Sequence, residues 1–324
     1  MSKFVQYGQR FLHKFTHQET NSMPPFWVLV QKEIADHIRS WRVILLVILL
    51  TLTCFASLYT ALSAIYDVAS ELTDDDHYLF LKLFTVSDQS LPPFFIFISF
   101  IGPLLGIALG FDAINAEWSK RTLSRLVSQP IPRDYIINAK FVAALLIIST
   151  LIFGLGFLVM GLGLIIIGIP PTPEEFLRVI SFLLLSICYI AFWLNLAILF
   201  SIQFSQAATS ALSSLSVWLY FTVFHSLIVN MLHSVFNLSE RTLQSLMRIA
   251  PSQLFSEATT TLLTPTVRAL GPLSMEQIVG AIPSSLPLTQ SLFLITPHLI
   301  GLAAATLVCF ALSYVLFMRK EIRN

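Results

Sequence analysis

Between Arg178 and Glu240 the chain runs for 61 residues without an Asp, Glu, Lys or Arg. Drawn as helix, at about 1.5 Å per residue, that stretch is roughly 90 Å long. The hydrocarbon core of a bilayer is only roughly 30 Å thick. The chain must therefore cross a membrane, turn and cross back. Hydrophobic residues make up 56 % of the 324 positions, and the other uncharged runs are also long enough to span. The sequence thus predicts an all-α polytopic membrane protein whose polar loops are the places soluble partners can reach.

The charge-free runs set the spans at about 43–66, 91–111, 141–168, 179–200, 207–234 and 294–317. Pro92 and Pro93 favour a start near 91 for the second, because proline suits a first helical turn. The 61-residue run divides at Ser201–Gln206. Six spans is an even number, so both termini lie on one side. That side carries 14 of the 19 basic residues: six up to Arg42, then Lys120, Arg121, Arg125, Arg133, Lys140, and finally Arg319, Lys320 and Arg323. Positive residues are retained on the cytoplasmic side, so both termini are expected there, in a cell (inner) membrane. Domains follow the same division: a polar tail over 1–25, an interfacial helix over 26–40, and one six-span unit over 41–324.

Several classes fall away. A cleavable signal would place a run of roughly 7–15 apolar residues near the start; here the first apolar run follows 42 residues. Cys54, Cys188 and Cys309 sit in three different spans, which suits packing rather than a disulfide or metal site. A net charge of +1 with segregated signs does not point to nucleic acid. No span holds an Asp, Glu, Lys or Arg near its centre, whereas ion-coupled carriers place such groups at the midplane. An ion-coupled secondary transporter is therefore the weaker alternative. An intramembrane lipid-modifying enzyme is another; it would need clustered His, Asp or Glu, and Asp74–Asp76 has only His77 beside it.

Polar residues inside the spans are Asn195, His225, Asn230 and His298, each expected to hydrogen-bond a neighbouring helix or lie near the interface. The third span concentrates Gly154, Gly156, Gly161, Gly163 and Gly168, which predicts close helix packing, within the subunit or across a dimer.

Two polar segments stand out. Trp27, Val30, Ile34, Ile38 and Trp41 recur at helical spacing, with Lys32, Glu33, Asp36 and Arg39 on the other side. That pattern predicts an amphipathic helix lying at the membrane interface, anchored by tryptophan. The loop from Asp112 to Lys140 is longer than a connector requires. It carries an apolar stripe through Ile114, Trp118 and Thr122, a Glu117–Arg121 pair at i,i+4, and a stop at Pro130 and Pro132. Such a segment suits docking to a soluble partner. On the other face, 235–293 is broken by five prolines, with one amphipathic helix expected over Ser252–Leu263.

The loop also carries a family resemblance. Phe111-Asp112-Ala113-Ile114-Asn115-Ala116-Glu117, then Arg121-Thr122-Leu123, then Ser128-Gln129-Pro130-Ile131-Pro132-Arg133 and Lys140-Phe141 resemble the first cytoplasmic loop of ABC-2-type permeases. Arg121 stands where that family often has Gly. Lys32-Glu33-Ile34, Ala250-Pro251-Ser252 through Leu262-Leu263, and Phe317 through Arg323 resemble other segments of the same family. The short six-span members, including the copper-maturation permease for nitrous oxide reductase, are the nearest in pattern. The resemblance implies a permease subunit that is not itself an enzyme. It implies two separate ATP-binding subunits that hold ATP and Mg, since no G-x-x-x-x-G-K-[ST] loop occurs in this chain. It also implies a second permease copy, a homodimer favoured over a heterodimer, and an extracytoplasmic partner where force rather than substrate is passed. The cytoplasmic coupling helix would use Asp112, Glu117, Arg121, Thr122, Leu123, Arg125, Pro130 and Arg133. The interfacial helix would use Trp27, Lys32, Glu33 and Arg39.

Overall fold

The computed structural model describes residues 24–68, 78–87, 90–119, 132–168, 170–265 and 286–320. Arg121, Thr122, Leu123, Arg125 and Pro130 lie outside them, as does the tail before residue 24. Among the described residues six helices are long and apolar enough to cross a membrane. The protein is an all-α, multi-pass membrane protein.

Helix α1 spans Pro25–Ile38 and α2, the first span, Trp41–Val68. A short α3 over Leu79–Thr85 precedes the second span, α4, over Phe94–Gly110. After a turn at Phe111–Ile114 comes α5, Asn115–Ser119. The third and fourth spans are α6, Arg133–Ile167, and α7, Pro173–Gln203. The fifth is built from α8, Ala207–Leu219, a π turn over Tyr220–Phe224, and α9, His225–Phe236. Two outer helices follow, α10 over Glu240–Met247 and α11 over Pro251–Leu263, before the sixth span, α12, over Leu288–Arg319.

Six spanning helices, the number expected, are thus present, with ends set by local chemistry. Pro93 precedes α4 and Pro132 precedes α6, where a missing N–H costs nothing. Thr172 and Glu175 form a reciprocal cap on α7, satisfying two of its orphan N–H groups. Gly168 ends α6 at φ 78°, a left-handed conformation that glycine adopts without strain. Within the π turn the Phe221 carbonyl accepts from Ser252 Oγ at 3.2 Å.

Helix α7 is the central post. Of its most apolar stretch 78 % is buried, against 22 % for the fifth span and 11 % for the sixth. It packs most extensively on α4 and α12. The close approach to α4 comes from Gly102, Gly106 and Gly110, spaced one per turn. A Cβ at Gly106 would lie 2.8 Å from the Ile190 carbonyl oxygen, and one at Gly110 2.7 Å from that of Leu194. The two backbones therefore touch, as small residues at four-residue spacing permit. The third-span glycines behave differently. Gly156 and Gly163 meet side chains, those of Leu183 and of Leu83 and Phe80, and not backbone, and Gly154 and Gly161 face open space.

Candidate functional site

The basic end of the bundle gathers charged side chains around α5. Helix α1 lies along the start of α6, with Val30 buried against Ala139 and Ala143, and Phe26, Leu29 and Ile34 beside them. Phe26 also meets Tyr135 edge to face, with ring centroids 5.6 Å apart. On the same face as Val30, one turn on, Glu33 is buried. Its Oε2 accepts from Lys140 Nζ at 2.9 Å, and Lys140 Nζ also reaches Glu117 Oε1 at 2.8 Å. Lys32 Nζ stands 2.9 Å from Glu33 Oε1, 3.6 Å from Glu117 and 3.5 Å from Asp36. Lys140 is therefore the hub joining α1, α5 and α6.

The charges compensate within the cluster. Burial alone would raise the Glu33 carboxyl, but the charge and hydrogen bond of Lys140, then Lys32, hold it below the usual carboxylate range. Burial likewise opposes the Lys32 ammonium, yet Glu33, Glu117 and Asp36 outweigh it and raise its pKa. The Glu33 carboxylate is thus kept as an anion where an unpaired one would be expensive.

Other spans converge on the same turn. Ser201 Oγ of α7 accepts from the Ile114 and Asn115 N–H groups, at 2.9 and 3.2 Å, capping the start of α5 from a neighbouring helix. Arg42 of α2 donates to Asp112 at 2.6 Å, and its guanidinium lies 4.7 Å over the Phe111 ring. At the end of α12, Lys320 Nζ sits 5.1 Å over the Trp118 ring and donates to the Ile202 carbonyl of α7. Five elements, α1, α2, α6, α7 and α12, therefore touch the segment Phe111–Ser119.

The residues expected at this site divide accordingly. Asp112 and Glu117 face partners within the chain. The carboxylate of Glu117, expected to meet a partner protein, turns inward to Lys140. Glu33, placed by periodicity on the polar side of α1, is buried because Lys140 draws it in. Lys32 bridges, while Trp27 and Arg39 are exposed. Arg133 opens α6. Lys140 and Ser201 were not singled out as site residues in the sequence; an isolated lysine closing a cytoplasmic loop was the available signal.

The opposite end is organised around Arg178, which is 0 % exposed. Its guanidinium pairs with Glu174 at 2.8 Å, and donates to the Leu262 carbonyl at 2.9 Å, Ser291 Oγ at 3.1 Å and the Leu286 carbonyl. It so ties the start of α7 to the end of α11 and the start of α12. Nearby, Glu257 accepts from Arg248 at 2.9 Å and Gln253 at 2.9 Å, and lies 3.0 Å from His298 Nε2. Burial would raise that carboxyl, but the hydrogen bonds from His298, Gln253 and Arg248, with the Arg248 charge, bring it down to about 2. Glu257 also borders a polar cavity of about 630 Å³ shared with Asn230, Ser226 and Glu240.

Of the four intramembrane polar residues, His298 and His225 make the expected contacts; His225 Nε2 lies 3.0 Å from the Leu246 carbonyl. Asn230 is exposed toward the outer end of α9. Asn195 differs: it is fully buried in α7, and neither amide atom has a hydrogen-bond partner among the described residues.

Over residues 27–322 the chain matches the model of the ABC-2 family transporter protein. It is also similar to a protein of Pseudomonas aeruginosa described as probable ABC transporter permease protein NosY, 25 % identical over 238 residues. That alignment covers 72 % of this chain and 80 % of the relative.

Proposed function

Because the chain belongs to the ABC-2 transporter family, as a membrane permease, we propose that it is the transmembrane half of an exporter or force transmitter driven by two separate ATP-binding subunits. ABC permeases in general pair with such subunits, and members of this family are typically non-catalytic transport subunits. The observation that carries the proposal is the convergence on Phe111–Ser119. A push on this segment reaches α1 and α6 through Lys140, α2 through Arg42, α7 through Ser201 and α12 through Lys320.

In this reading Phe111–Ser119 and the residues following it, with Arg121, Thr122, Leu123, Arg125, Pro130 and Arg133, form the coupling element that seats in the ATPase. Glu117 and Asp112 act inside the permease, setting the position of that element. Helix α1, with Trp27, Lys32, Glu33 and Arg39, lies at the cytoplasmic interface and moves with α5 through their shared lysines. ATP and Mg belong to the partner subunits. A second copy of this chain completes the pathway, as the exposed apolar faces of the fifth and sixth spans allow. Both termini face the cytoplasm, and an extracytoplasmic partner would meet the 235–293 side.

The test is co-expression with the ATP-binding subunit. Glu117→Ala should insert normally yet lower ATPase co-purification or its turnover, because it frees Lys140 from one of its two anions. Wild-type values for both would assign the cluster to folding alone.

A further inference from the structure

Between α1, the start of α2 and α6 runs a groove of about 480 Å³. That is roughly three times the ~150 Å³ of an apolar cavity that takes up benzene. Its walls include Ile34 and Ile38 of α1, Val43 and Val47 of α2, and Ile147 and Leu151 of α6. The one hydroxyl in its lining, Thr150, already donates to the Leu146 carbonyl at 2.8 Å, so the lining offers a ligand no free side-chain donor. Val43 and Val47 lie in the first two turns of the first span, which sets the groove about 3–10 Å above Trp41 along the helix. That is the depth of acyl chains in the leaflet on the basic side of the protein.

The stretch 39–42, between the lining residues Ile38 and Val43, carries charge. Arg39 follows Ile38 directly, is exposed, and has no ion-pair partner among the described residues. Arg42, three residues on, is occupied by Asp112. Trp41, 69 % exposed, lies between them as an aromatic of the kind that settles at the headgroup level. An apolar slot below and a free guanidinium above match one amphiphile: a chain with an anionic head. A helix of a second subunit, roughly 10 Å across, needs a broad face rather than a slot between three helices.

We propose that this groove binds one acyl chain of an anionic phospholipid from the cytoplasmic leaflet, with the lipid phosphate on Arg39. The bound chain would then form part of the seat of α1, so that the helix clamped to Lys140 on one side rests on lipid on the other. This site is independent of ATPase docking and stands whether or not the coupling proposal holds.

The experiment is native mass spectrometry of the full chain, extracted in mild detergent and offered phosphatidylglycerol and phosphatidylethanolamine with matched acyl chains. The wild type should retain one phospholipid and prefer phosphatidylglycerol about fivefold, the effect of one basic residue near the headgroups. Ile147→Trp should fill the groove and abolish retention of both lipids. Arg39→Gln should keep retention but bring the preference close to parity. Undiminished retention in a folded Ile147→Trp overturns the proposal. Arg39→Gln alters an exposed side chain and carries the test by itself if Ile147→Trp fails to insert. An unchanged headgroup preference in that variant overturns the proposal, as does finding the groove filled by a non-lipid molecule.

Discussion

The two ends of the bundle both bury charge, but in different ways. At the outer end Arg178 is fully enclosed, with one carboxylate, two backbone carbonyls and a hydroxyl around it. Its partners are fixed by the ends of α11 and α12, and no second cation competes for them in the contacts it makes. At the basic end Lys140 and Lys32 share Glu33 and Glu117, and Lys32, 47 % exposed at its side chain, also reaches Asp36. Here partners can be exchanged without leaving a charge alone. The outer arrangement suits holding helices in place, and the inner one suits letting helices shift while they stay connected.

The sharpest way to break that contrast is to remove each hub. Arg178→Met leaves two carbonyls and Ser291 without their donor. Losing one side of such a buried arrangement costs about 3–5 kcal/mol, so we expect poor yield and early thermal unfolding in detergent, with protease entry near α11. Lys140→Met leaves two buried carboxylates to Lys32 alone and should destabilise by about 3 kcal/mol. Here, however, adding Glu33→Gln and Glu117→Gln should restore most of the melting temperature, since an apolar or neutral replacement of a whole buried cluster is often tolerated. No neutral companion is available for Arg178, whose carbonyls cannot be mutated away. Equal rescue at both ends would erase the distinction.

Acid should weaken both ends. The Glu257 carboxyl is lowered from its ordinary 4.5 to about 2. A lowered acid stabilises the fold fully above its unfolded value, and that contribution is lost as pH falls through the folded one. On the order of 3 kcal/mol is therefore lost between pH 4.5 and 2. Melting curves of wild type and Glu257→Gln should differ at neutral pH and converge toward pH 2. Glu33 is also lowered and Lys32 raised. The inner cluster should therefore hold steady from above 4.5 to about 10.5, weakening only in acid, as Glu33 protonates, or in strong base, as Lys32 loses its proton.

Glycine offers the next contrast. Gly106→Val should drive α4 from α7 and cost about 1–3 kcal/mol through overpacking, whereas Gly161→Ala, facing open space, should stay within about 0.5 kcal/mol. Both effects are readable as shifts in detergent melting temperature. A silent Gly106→Val would mean that α4 and α7 are not in backbone contact.

These glycines also show what a single sequence can and cannot reveal. The spans were legible because charge and apolar length are properties of each segment alone. The break at Ser201–Gln206 and the helix near Ser252–Leu263 appeared within a few residues of α7's end and of α11. The four-residue spacing of Gly102, Gly106 and Gly110 was equally visible, but the denser glycines of the third span drew the expectation of close packing. Which glycine touches a backbone depends on the neighbouring helix, and no periodicity carries that. The same holds for charge. Glu33 shares a face with Val30 and Ile34, a hint of burial, yet its partner Lys140 lies 107 residues away. Local pattern placed Glu117 on a docking helix; only the fold turned its carboxylate inward. Arg178 served as the boundary of a charge-free run, although its i,i+4 neighbour Glu174 was the one local sign of pairing.

The role of α5 as the junction between ATPase and membrane is tested most directly by the triple variant Lys140→Met, Glu33→Gln, Glu117→Gln. It keeps the buried groups uncharged and the fold near its native stability, but cuts the ionic link between α1, α5 and α6. Purified with the ATP-binding subunit and placed in lipid nanodiscs, it should show a native melting temperature and a permease-dependent ATPase rate lowered at least tenfold. Wild-type turnover in that well-folded variant would contradict the coupling role and leave the cluster a matter of stability alone.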